Sequence, residues 1–378
     1  MIRRVHRCGG AGGRLAAAVL LGGVSGVLPS PRPEIVERRV AATVERRVAS
    51  TVERRVAAMG TTLDVAVVAA ERETALNESE AAIAEVRRIE DLLTTWRESP
   101  LSRLNEAPVG AWTPLDAELC SVLADVFSWA ERTRGAFDPA VAPLVEAWGL
   151  RGPGRIPSAG DLAAARAAAG AGRFRVDRER CGAVRLGRSA GIEEGAWGKG
   201  YALDRAARRL EQMGARRFLI DLGGQVVSRG RDSSGAAWSI AIAHPRDRRR
   251  PVVSITLRDA SASTSGNSER GRTVGGRRVG HELDPRTGEP ATDFGSVTVI
   301  APSGLVADIL STAFFVLGPE AGLSLSEDLR REGVQQEALF LIDRGDSKPL
   351  QAVASPGLSR LVLSADATAV AGLSRNAP

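Results

Sequence analysis

Lys199 is one of only two lysines among 51 basic side chains, the other being Lys348. It sits in Gly195-Ala-Trp-Gly-Lys-Gly-Tyr-Ala-Leu-Asp204, where Gly195, Gly198 and Gly200 allow close backbone approach and a compact ammonium on a flexible stem can reach a phosphate. A helix beginning after Gly200 would turn free N–H groups toward the same anion. The alternative is a surface lysine in an ordinary turn. Asp308 and Thr312, in Val306-Ala-Asp-Ile-Leu-Ser-Thr312, are four residues apart and so share one helix face. A carboxylate and a hydroxyl at that spacing suit a hard cation that keeps some of its waters, as Mg²⁺ does. The alternative is that Asp308 caps or solvates the helix, but Leu305, Ile309, Leu310, Phe314 and Phe315 mark that helix as buried, and a carboxylate among them needs a partner.

His281 opens His281-Glu-Leu-Asp-Pro-Arg-Thr-Gly288, in which Pro285 and Gly288 make a strong turn and the histidine ends the preceding strand. It is one of three histidines, so imidazoles for proton transfer are few, although a lone histidine also serves as a packing group. Gly135-Ala-Phe-Asp-Pro139 and Asp221-Leu-Gly-Gly224 each set an aspartate beside glycine, and either reads equally as a plain turn.

The elements that must position these groups follow from periodicity. Apolar spacing predicts helices over 77–96, 116–132, 161–169 and 200–214, and two more over 305–317 and 320–331. Short strands are predicted over 62–69, 217–221, 238–243, 252–257, 261–265, 296–301, 338–342 and 358–363. Runs of strands and runs of helices point to an α+β fold with antiparallel sheet. Three octads of the form Val-Glu-Arg-Arg-Val-Ala-x-x fill residues 36–59. Their period fits neither 3.5 nor 3.6, so they read as a duplicated charged spacer, helical in part. The expected organisation is a leader over 1–28, the spacer over 29–58, one catalytic domain over 59–364 and a loose tail over 365–378.

Charge and composition narrow the function. The formal charge is +6, but residues 1–58 hold 11 arginines and 4 glutamates, which leaves 40 basic against 41 acidic side chains in the remainder. The folded part therefore has no basic footprint for nucleic acid, and an aromatic content of 4% offers little to stack bases on. Arg3, Arg4, Arg7 and Arg14 with the apolar run Leu15 to Leu28 read as an export signal, too short and glycine-interrupted for a stable span. The expected location is exported, periplasmic or in the cell envelope, with the N-terminal segment near a membrane. Beyond Cys8 only Cys120 and Cys181 remain, which is no disulfide framework and leaves a single bridge open.

Taken together and in order, Met59-Gly-Thr, Thr94 to Asn105, Gly135 to Pro139, Gly195 to Asp204, Ile220 to Gly224, Ser263 to Gly266, His281 to Gly288, and Ser296 to Pro302 with Ala307 to Thr312 resemble the ApbE family of FAD:protein FMN transferases. The resemblance implies an ApbE-type, T-fold-like domain in an exported Mg²⁺-dependent enzyme. Such an enzyme cleaves the pyrophosphate of FAD and moves FMN to a threonine hydroxyl of an acceptor protein carrying a Ser/Asp-Gly-Ala-Ser/Thr-Thr motif, releasing AMP. It further implies that Asp308, Thr312 and the Ala196 carbonyl hold Mg²⁺. Met59, Trp96, Ala136, Phe137, Asp138, Glu193 and Lys199 line the FAD site, with His281 near the reacting phosphate and His281, Lys199 and Asp308 as the catalytic set. Glu193-Glu194, Gln225 and Asn267 depart from the family's usual residues, and no lipid-bearing cysteine follows the leader. Two other activities fit the same pocket: a Mg²⁺-dependent FAD pyrophosphatase and a non-catalytic flavin-binding protein.

Overall fold

A computed structural model of the chain describes residues 2–4, 50–267, 271–274, 276–345 and 348–373. In chain order the elements are β1 (Ile2–Arg4), β2 (Ser50–Ala58), β3 (Thr61–Ala69), α1 (Arg72–Leu93), α2 (Pro100–Glu106), β4 (Trp112–Pro114), α3 (Ala117–Arg132), α4 (Ala142–Ala147) and α5 (Ala159–Ala168). They continue with β5 (Phe174–Asp177), β6 (Gly182–Arg185), α6 (Gly198–Gln212), β7 (Phe218–Leu222), β8 (Gln225–Arg229), β9 (Trp238–His244), β10 (Asp247–Leu257), β11 (Ser261–Gly266), β12 (Arg272–Val274) and β13 (Arg277–Val279). The last are β14 (Gly295–Ala301), α7 (Gly304–Arg331), β15 (Glu337–Ile342), β16 (Leu350–Ala354), β17 (Val362–Ala365) and β18 (Val370–Ala371).

The centre is a nine-stranded sheet in the order β18-β16-β15-β14-β11-β8-β7-β3-β2. Every neighbour pair in it is antiparallel except β16 with β18. Both of its faces are buried, and strand alternation sorts the side chains between them. Leu63, Val65 and Val67 of β3, Phe218 and Ile220 of β7 and Phe340 of β15 pack with α1, α6 and α7 residues such as Val86, Leu203 and Phe314. Their sequence neighbours Ala66, Val68, Leu219, Leu339 and Leu341 pack with Trp238, Ile240, Ile242, Val253 and Ile255 of a second, four-stranded sheet, order β1-β9-β10-β17. The expected α+β class is therefore found, as a helix layer, a central sheet and a second sheet.

Three expectations change. The third octad is not spacer: Ser50–Ala58 is the edge strand β2, paired along its length with β3. A period of eight is a multiple of two, so it keeps Val52, Val56 and Ala58 on the inner face while Glu53, Arg55 and Ala57 face out. The region read as a strand over 358–363 is a 3₁₀ turn over Pro356–Arg360 followed by β17, because Pro356 starts a turn that the Gly357 amide ties to Glu337. The tail is held as far as β18, where Val370 is buried against the second core. The leader and spacer over 5–49 lie outside the described residues, whereas Ile2–Arg4 pair with β9. The two C-terminal helices are present as the two arms of α7, broken at Gly318, whose φ of 78° and following Pro319 end the first arm.

Candidate functional site

The site is built where the first turns of α6 and α7 cross. A Cβ on Gly200 would lie 2.2 Å from the Gly304 carbonyl oxygen and 2.8 Å from the Asp308 Cβ, and one on Gly304 would lie 2.6 Å from the Gly200 oxygen. Only glycine lets the two backbones come this close. Asp204, in the second turn of α6, fixes the crossing: its carboxylate accepts from Ser303 Oγ at 2.6 Å and from the Gly304 and Leu305 amides at 2.6 and 3.0 Å. It thereby satisfies backbone donors at the start of α7, which Ser303 also caps through the Val306 amide. Gln225 closes the other side, its side-chain amide donating to the Gly304 carbonyl at 3.0 Å.

Asp308 is buried, 4% exposed. Its Oδ2 accepts from the Gly200 amide at 2.9 Å, while Oδ1 meets Lys199 Nζ at 3.5 Å and Ser263 Oγ at 3.4 Å. Below it, Ser311 Oγ bonds the Asp308 carbonyl at 3.0 Å and the hydroxyls of Ser263 and Ser265 at 3.1 Å, linking α7 to β11. Lys199, Asp308, Thr312 and His281 all line one open cleft of about 810 Å³, together with Gly195 and Gly224. His281 lies two residues beyond β13 with its Nε2 3.4 Å from Glu282. One local expectation is corrected. α6 begins at Gly198, and its early amides are engaged, Gly198 with the Glu194 carbonyl at 2.7 Å and Gly200 with Asp308. An anion in the cleft would therefore meet the Lys199 ammonium in place of those two N–H groups.

The remaining expected site residues form a second group joined to the first by the 193–197 turn. Glu193 is tied to the Asp138 loop by its amide, which donates to the Pro139 carbonyl at 2.8 Å. Its carboxylate accepts from Arg151 at 2.5 Å, and Arg151 also bonds the Thr95 hydroxyl and carbonyl and lies 5.3 Å over the exposed Trp96 ring. Asp138 spends both oxygens on backbone amides, Ala140 at 2.8 Å and Ala171 at 2.7 Å. Ala136 and Phe137 are buried in the main core and so shape this side by packing. Met59 has a positive φ of 49° in the β2–β3 turn, and its Cε lies 3.6 Å from where a Gly198 Cβ would sit. Ala196 stands between these groups, in the turn before α6.

Burial raises the carboxyls of Asp138, Glu193 and Asp204 above the usual range; hydrogen bonds to each charged form, and Arg151 at Glu193, oppose it. Asp204, Ser263, Ser311 and Arg151 carry no separate signal in the sequence reading. Asp204 stood in the glycine motif, and its i+4 spacing from Gly200 was the available clue.

An α+β domain with a buried carboxylate, a lysine and a histidine in one polar cleft is suited to an anionic, phosphate-bearing ligand. The chain matches the ApbE family model over residues 59–336, and it belongs to that family. It is 35% identical over 271 residues to a FAD:protein FMN transferase of Klebsiella pneumoniae, covering 69% of this chain and 77% of the relative. It is 34% identical over 293 residues to one of Salmonella typhimurium, covering 75% and 82%. Among solved structures, the ApbE protein of Thermotoga maritima superposes with a TM-score of 0.74 at 29% identity, covering 82% of this chain and 99% of that one. The flavinyl transferase ApbE of Pseudomonas stutzeri gives 0.71 at 28%, covering 84% and 98%.

Proposed function

We propose that this chain is a FAD:protein FMN transferase that uses Mg²⁺ and modifies a threonine of an acceptor protein. The observation that carries the reading is Asp308. Its Oδ1 belongs to a buried carboxylate yet is met, among the described residues, by the long contacts to Lys199 and Ser263 alone, and Asp308 lines the cleft with Thr312. Among the described residues no cluster of three His, Cys, Asp or Glu forms a closed metal cage. One carboxylate, a hydroxyl and a carbonyl are a sparse, hard-oxygen donor set, which suits Mg²⁺ shared with substrate phosphates. Asp308, Thr312 and the Ala196 carbonyl would hold it, and when bound it would neutralise charge on the FAD pyrophosphate.

The chain's own groups then divide the work. Lys199 places a second positive charge on the pyrophosphate. The Asp204 clamp keeps Asp308 at the crossing. His281 accepts the proton of the threonine hydroxyl as its oxygen attacks the FMN phosphorus; the P–O–P bond breaks and AMP leaves with the electron pair. Trp96, Glu193, Arg151 and Met59 border the flavin side. A flavin store would need none of the charge arranged at the pyrophosphate, and the buried Asp308 speaks against one.

The test incubates the full chain with FAD, Mg²⁺ and an FMN-binding acceptor carrying a Ser/Asp-Gly-Ala-Ser/Thr-Thr motif, then weighs the intact acceptor. An acceptor heavier by one FMN moiety supports transfer. Free FMN and AMP with an unmodified acceptor would make the chain a pyrophosphatase, and unchanged FAD would leave a binding protein. We also propose that the domain works outside the cytoplasm, supported by the basic and apolar leader; a tagged chain found wholly in the cytosol overturns that.

A further inference from the structure

Cys120 and Cys181 lie far apart in sequence but at one place in the fold. Cys120 is fully buried in the first turn of α3. Its Sγ points to the carbonyls of Asp177, 3.5 Å away, and Arg178, 3.9 Å away. Cys181 ends the turn between β5 and β6, and its Sγ points to the same Arg178 carbonyl at 3.6 Å. The backbone holds them there. The Leu115 amide, just before α3, donates to the Cys181 carbonyl at 3.0 Å, and Cys181 takes a left-handed φ of 45°.

We propose that Cys120 and Cys181 are a disulfide-forming pair that fastens α3 to the β5–β6 hairpin. The half-exposed Cys181 reacts first. Its thiolate attacks a small disulfide oxidant such as oxidised glutathione, forming a mixed disulfide and releasing one thiolate. Cys120 then loses its proton to solvent and attacks the Cys181 sulfur, releasing the second thiolate. Two electrons pass from the pair to the oxidant, which leaves as two thiols. Burial, with Cys181 alongside, pushes the Cys120 thiol up to about 11, so Cys120 is a poor first nucleophile and suits the resolving step.

The bridge would close a loop that includes Phe137 and Asp138 and leads through β6 toward Glu193, so oxidation would tighten the Glu193 side of the site.

The experiment treats the folded full chain with oxidised glutathione, blocks residual thiols and maps peptides with and without reduction. Expected are a peptide linking Cys120 to Cys181, no glutathione retained on either of the two, and a Tm roughly 5 °C higher that dithiothreitol reverses. Cys181→Ser should leave Cys120 reduced and inert, and Cys120→Ala should leave Cys181 carrying glutathione. A wild-type chain that keeps glutathione on Cys181 with Cys120 free, links Cys120 or Cys181 to a second chain, or leaves both of these thiols free would overturn the pair.

Discussion

Gly200 and Gly304 meet so closely that a methyl group on either would strike the other's carbonyl oxygen, and this contact sets where Asp308 stands relative to Lys199. Gly200→Ala pits two effects against each other. Alanine favours a helix by about 1 kcal/mol over glycine, but over-packing against fixed atoms costs about 1–3 kcal/mol. The obstacle is backbone, so the clash wins. The expected outcome is a lower Tm together with a loss of FMN transfer, read by calorimetry and by acceptor mass; a variant as stable and as active as the parent would show that the crossing can open without consequence.

Asp204 does not line the cleft and acts on Asp308 through the α7 N-terminus. Asparagine in its place keeps one acceptor and turns an N–H₂ toward a backbone donor. That leaves a buried group unpaired, at a cost of about 1–3 kcal/mol. Beyond this stability loss, a displaced Asp308 should raise the Mg²⁺ concentration needed for half-maximal AMP release. Lower stability with an unchanged Mg²⁺ requirement would reduce Asp204 to a helix cap.

Lys199→Ala removes a charge-assisted contact worth about 1.5–3 kcal/mol, so FAD affinity or turnover should fall roughly tenfold to a hundredfold. Its partly exposed side chain predicts little change in Tm. FAD titration by flavin fluorescence and the rate of AMP release check both halves, and an unaltered titration and rate return Lys199 to an ordinary surface role.

Stability should also carry a pH signature from Asp221. Burial raises its carboxyl to about 7, with Asp64 directly opposite on β3 adding to the effect and the Gly224 amide opposing it. Arg55 of β2 pairs with Asp64 at 2.6 Å and partly offsets the two carboxylates. An unfolded aspartate releases its proton near about pH 4. The folded protein therefore binds more protons between about pH 4 and 7, and stability falls as pH rises through that window. Asp221→Asn should gain Tm over the parent progressively from about pH 4 to 7 and hold that gain above it. A Tm difference that does not vary with pH would contradict the assignment.

Much of this was legible in the chain before any coordinates. The motifs around Lys199, His281 and Asp308 do meet in one cleft, and the near-continuous apolar runs of β3, β7 and β15 are those of strands buried on both faces. Asp204 was not legible as a clamp because its partners lie about 100 residues away, and only the glycine crossing brings them together. The strand role of the third octad was hidden because its charged residues suggest a solvated spacer, whereas an edge strand needs only every second residue to be apolar. The short strands β4 to β6 are three or four residues long and carry too few alternations to show a period.

In the proposed mechanism Mg²⁺-dependent transfer depends on the Asp308 carboxylate. The most direct measurement is the rate of acceptor flavinylation and AMP release against Mg²⁺ concentration for the parent, Asp308→Asn and Thr312→Val. The asparagine side chain would still accept from the Gly200 amide, so the fold should persist while transfer is lost at every Mg²⁺ concentration. Thr312→Val should lose part of its rate and recover some of it as Mg²⁺ rises. An Asp308→Asn protein that transfers FMN with the parent's Mg²⁺ dependence would contradict the account.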